Sequence, residues 1–178
     1  RNGNLYMGIE KRKNGILNRE NWFDTGKGRK QKMEKNRNDT IKLLRECNAG
    51  IKMGVSSLDD VLEHVKDENL KNLLEQSKAT HTKLGNTTHT YLQEYQDEGK
   101  EPAVMAKLMS KLKSDVALEM EESDGKVADL ITDGCNMGVK SLYRYLNQYP
   151  AAEEKVKKLA KQVADAEETL VQDLREYL

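Results

Sequence analysis

Residues 42–62, KLLRECNAGIKMGVSSLDDVL, are written again 84 positions later as residues 126–146, KVADLITDGCNMGVKSLYRYL, and eight of the twenty-one positions are identical. The matches are Lys42/Lys126, Gly50/Gly134, Met53/Met137, Gly54/Gly138, Val55/Val139, Ser57/Ser141, Leu58/Leu142 and Leu62/Leu146. Ordinary composition gives roughly one or two in such a window. The echo continues at an offset of 86, with Glu68/Glu154, Lys71/Lys157, Leu73/Leu159, Gln76/Gln162, Leu84/Leu170, Tyr91/Tyr177 and Leu92/Leu178, so two residues enter the intervening turn. Two copies are too few for a solenoid array. They suit one domain made of two equivalent helical hairpins.

Outward from this block the apolar spacing is helical from Asp39 onward. Asp39 or Thr40 is placed to cap a helix whose inner positions are Ile41, Leu44, Asn48, Ile51, Val55, Leu58 and Leu62, the alternating three-four spacing of a bundle seam. A turn at 66–69 leads into a second helix on Leu70, Leu74, Ser77, His81, Leu84, Thr88, Tyr91 and Tyr95. Gly99 suits a helix end, and Pro102 opens an amphipathic segment carrying Met105, Leu108, Leu112, Val116 and Met120. The third helix, over 125–149, stops before Pro150, because the residue ahead of a proline is steered out of helical geometry. The fourth uses Val156, Ala160, Val163, Glu167, Leu170 and Leu174.

Two short-looped hairpins joined by one long crossover is the connectivity of ferritin-like bundles. The expected fold is therefore all-α, a ferritin-like four-helix bundle of two pseudo-twofold helical hairpins with a long helical crossover. Gly50/Gly54 and Gly134/Gly138 stand inside helices, where each glycine costs about 1 kcal/mol relative to alanine. Close backbone approach is the expected reason for them.

The formal net charge of zero conceals an asymmetry. Residues 1–38 hold eleven Lys/Arg against four Asp/Glu, a balance of +7, and residues 39–178 hold 19 against 26, a balance of −7. The first segment shows neither helical nor strand periodicity and reads as a basic, disordered arm ahead of a bundle over 39–178. With Arg1 at the start and Met33 just ahead of the periodic part, much of 1–32 is expected to lie outside the native protein. The arm has no stacking pattern and no structured basic face, so nucleic acid is not expected as a partner.

No run approaches 18 apolar residues and no signal-type apolar region opens the chain, so a cytoplasmic protein with no membrane partner is expected. Cys47 and Cys135 fit a reducing compartment and belong to no CxxC or Cys/His zinc pattern. GxxxxGK[ST], GxSxG and post-strand GxGxxG motifs are absent from the sequence. Charged helical bundles often pair through an outer face, which leaves a homodimer or an unidentified protein partner as the expectation.

The blocks ECNAGIKMG (46–54) and TDGCNMGVKSL (132–142), each followed by a Leu-rich helix, resemble small uncharacterised bacterial ferritin-like four-helix-bundle proteins, a domain-of-unknown-function family. The resemblance spans roughly residues 40–178. It implies a ferritin-like fold and little about activity.

Di-iron carboxylate bundles take one Glu from each of two helices and a Glu-x-x-His pair from each of the others. Residues three apart share a helix face, so carboxylate and imidazole converge. This chain lacks the set. Its histidines stand at 64, 81 and 89, preceded three residues earlier by Val61, Lys78 and Asn86, and all fall in the first repeat. Ile51 and its mate Cys135 occupy the mid-seam position of a ligand carboxylate.

A polar layer remains: His81 and its mate Glu167, Asn48 and its mate Thr132, and Cys135. Counting back across the hairpin turns sets His81 level with Gly54 and Glu167 level with Gly138. Three readings stay open: a His81–Glu167 pair fixing helix register, groups at the seam edge, or a reduced site for a single divalent metal ion or small ligand. No cofactor is required by any motif. The expected role is a non-catalytic bundle that is structural, stress-related or partner-binding, with a divergent single-metal protein or oxidoreductase as the alternative.

Overall fold

The computed structural model describes residues 26–99 and 123–178, and among these residues four α-helices form: α1 (Gly26–Leu62), α2 (Glu68–Glu94), α3 (Asp124–Gln148) and α4 (Glu154–Asp173). A 3-10 turn, Leu174–Tyr177, closes α4, and the described residues include no strand. The amphipathic segment at 102–120 and the first part of the basic arm, 1–25, lie outside the described residues.

Local chemistry explains the boundaries. Asp67 caps α2 by accepting from Asn69 N at 2.8 Å and Leu70 N at 2.9 Å, and Ser123 caps α3 through Lys126 N. Just beyond α2 the backbone bends at Gln96 and Gly99, both at positive φ. A Cβ at Gly99 would stand 2.8 Å from Leu92 Cδ1, so backbone freedom and close packing both call for glycine there. Arg45 holds this turn with a two-pronged bond to Asp97, whose Oδ1 also accepts from Gly99 N.

One observation departs from the sequence reading. Residues 26–38, assigned there to the disordered arm, are the opening turns of α1. The run GKGRKQKMEKNRN is rich in Lys, Arg, Gln, Met and Glu, all good helix formers, and extending an existing helix is far easier than nucleating one. Asp39 and Thr40 are not N-caps. Asp39 Oδ2 accepts from Ala151 N at 3.1 Å, and Thr40 Oγ1 accepts from Glu153 N at 2.9 Å. They bind the turn between α3 and α4 to the side of α1.

The same latch is made at the other end. Asp124, which the 84-residue offset aligns with Thr40, accepts from Lys66 N at 2.8 Å and Asp67 N at 3.1 Å in the turn between α1 and α2. Hence α3 starts where α1 ends, and α1 passes the end of α3 at Asp39 and Thr40. Gly99 and Ser123 accordingly lie at opposite ends of the bundle, which rules out a simple up-down-up-down order. We expect Asp124→Ala to cost about 1.5–3 kcal/mol in urea unfolding, because two turn N–H groups lose a charged acceptor.

The apolar face of each helix meets the others in two clusters. Near the Asp39 end, Leu43, Leu44, Cys47 and Ile51 pack with Leu92, Leu142, Val156, Leu159 and Val163. At the far end, Leu58, Val61, Leu70 and Leu74 pack with Val127, Ile131, Leu170 and Leu174. Burying each such side chain contributes roughly 1.5–3 kcal/mol, which is what holds the hairpins together.

Candidate functional site: a polar layer between two apolar clusters

The gap between the clusters falls at Gly54 on α1, His81 on α2, Gly138 on α3 and Glu167 on α4. Sequence spacing places each polar residue level with a glycine of its own hairpin, and the structure does the same. His81 is 2% exposed and its ring crosses Gly54, where a Cβ would sit 3.3 Å from Cδ2. Glu167 is 6% exposed and occupies the space of the missing Gly138 side chain. A Cβ on Gly138 would lie 2.7 Å from the carboxyl carbon and nearer still to both oxygens. These two glycines admit side chains, not backbones. The close-backbone expectation is therefore corrected, and at Gly50 and Gly134, where nothing lies within 4 Å of an added Cβ, nothing in the structure requires glycine.

The two mates differ in how their polar atoms are met. His81 Nδ1 stands 2.9 Å from Ser77 O, one turn back on α2, with Ser77 Oγ at 3.4 Å. A carbonyl only accepts, so Nδ1 carries hydrogen and donates it to Ser77 O. Val163 stands where α4 has the mate of Ser77, and Glu167 Oε2 is buried without any hydrogen-bond partner. Burial pushes the carboxyl up to about 8, so it keeps its proton at neutral pH.

No hydrogen bond joins His81 to the orphaned oxygen of Glu167. The direct pair suggested by their equivalence in the repeat is not formed, and each side chain lies against the glycine of its own hairpin.

Two thiols feel the charge of this carboxyl when it ionises. Cys47 on α1 is pushed up to about 12 by burial first, then by Glu46 and Glu167. Cys135 on α3 is pushed to about 12 by burial and then by Glu167. Both stay protonated at neutral pH and are poor nucleophiles. The remaining mates diverge as well: Asn48 Nδ2 donates to Gly99 O at 3.4 Å, whereas Thr132 Oγ1 is buried with no partner. Among the described residues no group of three or more His, Cys, Asp or Glu side chains converges as a ligand set. His89 is exposed beside Gln93 on the outer face of α2.

Of the residues singled out from the sequence, His81, Glu167 and Asn48 are buried, and Thr132 and Cys135 are partly buried. The layer thus brings each of Cys47 and Cys135 within electrostatic reach of Glu167 and leaves Asn48 tied to the chain after α2. Sequence reasoning missed the turn-binding role of Asp39, Thr40 and Asp124. The signal was available in the repeat, which aligns an oxygen acceptor at 40 with another at 124.

Among the described residues no helix is long and apolar enough to cross a membrane. No protein-family model matches the sequence, and no curated protein matches it. A solved structure, a DUF305 fragment from Deinococcus radiodurans, superposes with a TM-score of 0.63 at 12% identity, covering 78% of this chain and 93% of that one. At that identity the likeness concerns the fold alone: an all-helical bundle shared with an uncharacterised domain.

Proposed function

We propose that this chain is a non-catalytic, ferritin-like four-helix bundle of the bacterial cytoplasm, duplicated about a pseudo-twofold axis, with a structural, stress-related or partner-binding role. The observation that carries this reading is the state of the polar layer. Its one deeply buried carboxyl is neutral at physiological pH, its histidine is committed to a backbone carbonyl, and its thiols are held protonated. A protonated acid and two protonated thiols are poor ligands for a hard divalent ion. The duplication is supported by the twin latches at Thr40 and Asp124 and by the two polar-over-glycine contacts.

A second reading, a reduced single-metal site, is favoured by one feature, the orphaned Oε2 of Glu167 near Cys47 and Cys135. Elemental analysis of protein purified without chelator, after incubation with iron(II) or zinc(II), separates the two. The proposal expects substoichiometric metal that Glu167→Gln does not alter, and no ferroxidase activity. One tightly held ion per chain, lost in Glu167→Gln, would establish the second reading.

A further inference from the structure

The opening turns of α1 present a charged surface that the bundle does not use. Lys30, Met33, Glu34 and Arg37 turn toward Tyr95 and Glu153, with which they line an open hollow, and Arg37 donates to Tyr95 O at 3.1 Å. That leaves Lys32 and Lys35, both exposed, on the outward side. Residues 26–38 hold six Lys/Arg against Glu34 alone. At 1.5 Å per residue this stretch runs about 20 Å, and it lies ahead of the Thr40 latch that marks the end of the second hairpin.

The opposite end of the molecule carries the complement. The first half of α3 lies beside the second half of α4, since Val127 and Ile131 share a cluster with Leu170 and Leu174. On the exposed side of that region stand Asp129, Asp133, Asp165, Glu168, Asp173 and Glu176, with Lys126 and Arg175 the basic residues among them. Basic and acidic surfaces are thus separated by the length of the bundle.

We propose that two copies of this chain pair side by side and antiparallel, the basic start of α1 in each lying on the acidic α3–α4 end of the other. The inference deepens the partner-binding reading by naming a second copy as the partner. An antiparallel pair is isologous: each complementary contact is made twice and the assembly closes at two chains. Opposite charges steer the encounter and fix its register, and they are screened by salt beyond roughly 8–10 Å. Nucleic acid is the other polyanion a basic helix can meet, yet residues 39–178, at −7, would repel its phosphates.

Sedimentation of the full chain at about 50 mM and about 500 mM salt reads this directly, the screening length shrinking from roughly 14 to 4 Å. The expected result is a dimer at low salt whose dissociation constant rises about tenfold or more at high salt, the behaviour of charge-complementary interfaces. K32E/K35E and D129K/D133K/E168K should each be monomeric while keeping wild-type circular dichroism, because every changed residue is exposed. Mixing the two variants should restore a one-to-one dimer. A monomer at low salt, a dimer indifferent to both variants, assemblies that grow past two chains, or salt-sensitive retention of duplex DNA without self-association would each overturn the proposal. None of these readouts depends on metal content, so a failure here is separable from a failure of the non-catalytic reading.

Discussion

Glu167→Gln should raise the stability of this protein at neutral pH and remove much of its pH dependence. The sign follows from linkage. In the unfolded chain the carboxyl titrates near its ordinary 4.5, and in the folded chain near 8. Below 4.5 both states hold the proton and the residue makes no difference. As pH rises through that value the unfolded state ionises freely while the folded state cannot, so stability falls until the folded carboxyl ionises near 8. The displacement corresponds to a loss on the order of 4 kcal/mol across the window, reduced wherever water reaches the site. Glutamine is nearly isosteric and never ionises, so at pH 7 the variant should melt roughly 5–10 °C above wild type and match it near pH 4. Buried thiols add a second decline, since Cys47 and Cys135 ordinarily titrate near 9 and here near 12. Paired thermal melts from pH 4 to 10 measure both steps. Equal slopes for the two proteins would show that Glu167 reaches solvent or a partner.

Gly138→Ala is the second substitution with a large expected effect, and its direction opposes the intrinsic preference of a helix. An alanine in a helix interior normally stabilises by about 0.5–1 kcal/mol over glycine. Gly50→Ala and Gly134→Ala should show that gain, as an added Cβ meets nothing within 4 Å. At Gly138 the new methyl group would collide with the whole Glu167 carboxyl group. Near pH 4, where the carboxyl holds its proton folded or unfolded and gains nothing by reaching water, the side chain must leave a site that packs it between α3 and α4, at a cost of about 1–3 kcal/mol. Removing the obstacle in Gly138→Ala/Glu167→Ala should recover the helix-propensity gain, so the two positions are strongly non-additive in urea unfolding. Gly54→Ala should fall between the extremes, because its Cβ meets His81 Cδ2 at 3.3 Å and the ring can shift by a few tenths of an ångström.

The fold was legible because its evidence is periodic. Leu44, Ile51, Leu58, Leu74, Val156, Val163 and Leu170, named from spacing alone, are all buried, while Ile41, Val55, Leu62 and Leu84 are half-buried. The 84- and 86-residue offsets aligned the two hairpins closely enough to set His81 against Gly54 and Glu167 against Gly138. Contact across the hairpins was not legible. It depends on the relative rotation of neighbouring helices, which a pattern along one helix does not encode, so His81 and Glu167 share equivalent places in the repeat without bonding. The start of α1 was misread because Asp39 and Thr40 have the chemistry of N-caps. That same chemistry, an oxygen beside a free N–H, serves them as acceptors for the turn at 151–153.

Titration of the Glu167 side-chain carboxyl carbon by NMR, assigned through Glu167→Gln, tests the central claim most directly: that this bundle encloses a neutral acid with its Oε2 unpartnered. The account predicts a single carboxyl titrating near 8, well apart from the other acidic residues, and unmoved by added zinc(II) or iron(II). A midpoint in the ordinary carboxylate range near 4.5, or a resonance displaced by one equivalent of metal at neutral pH, would contradict it.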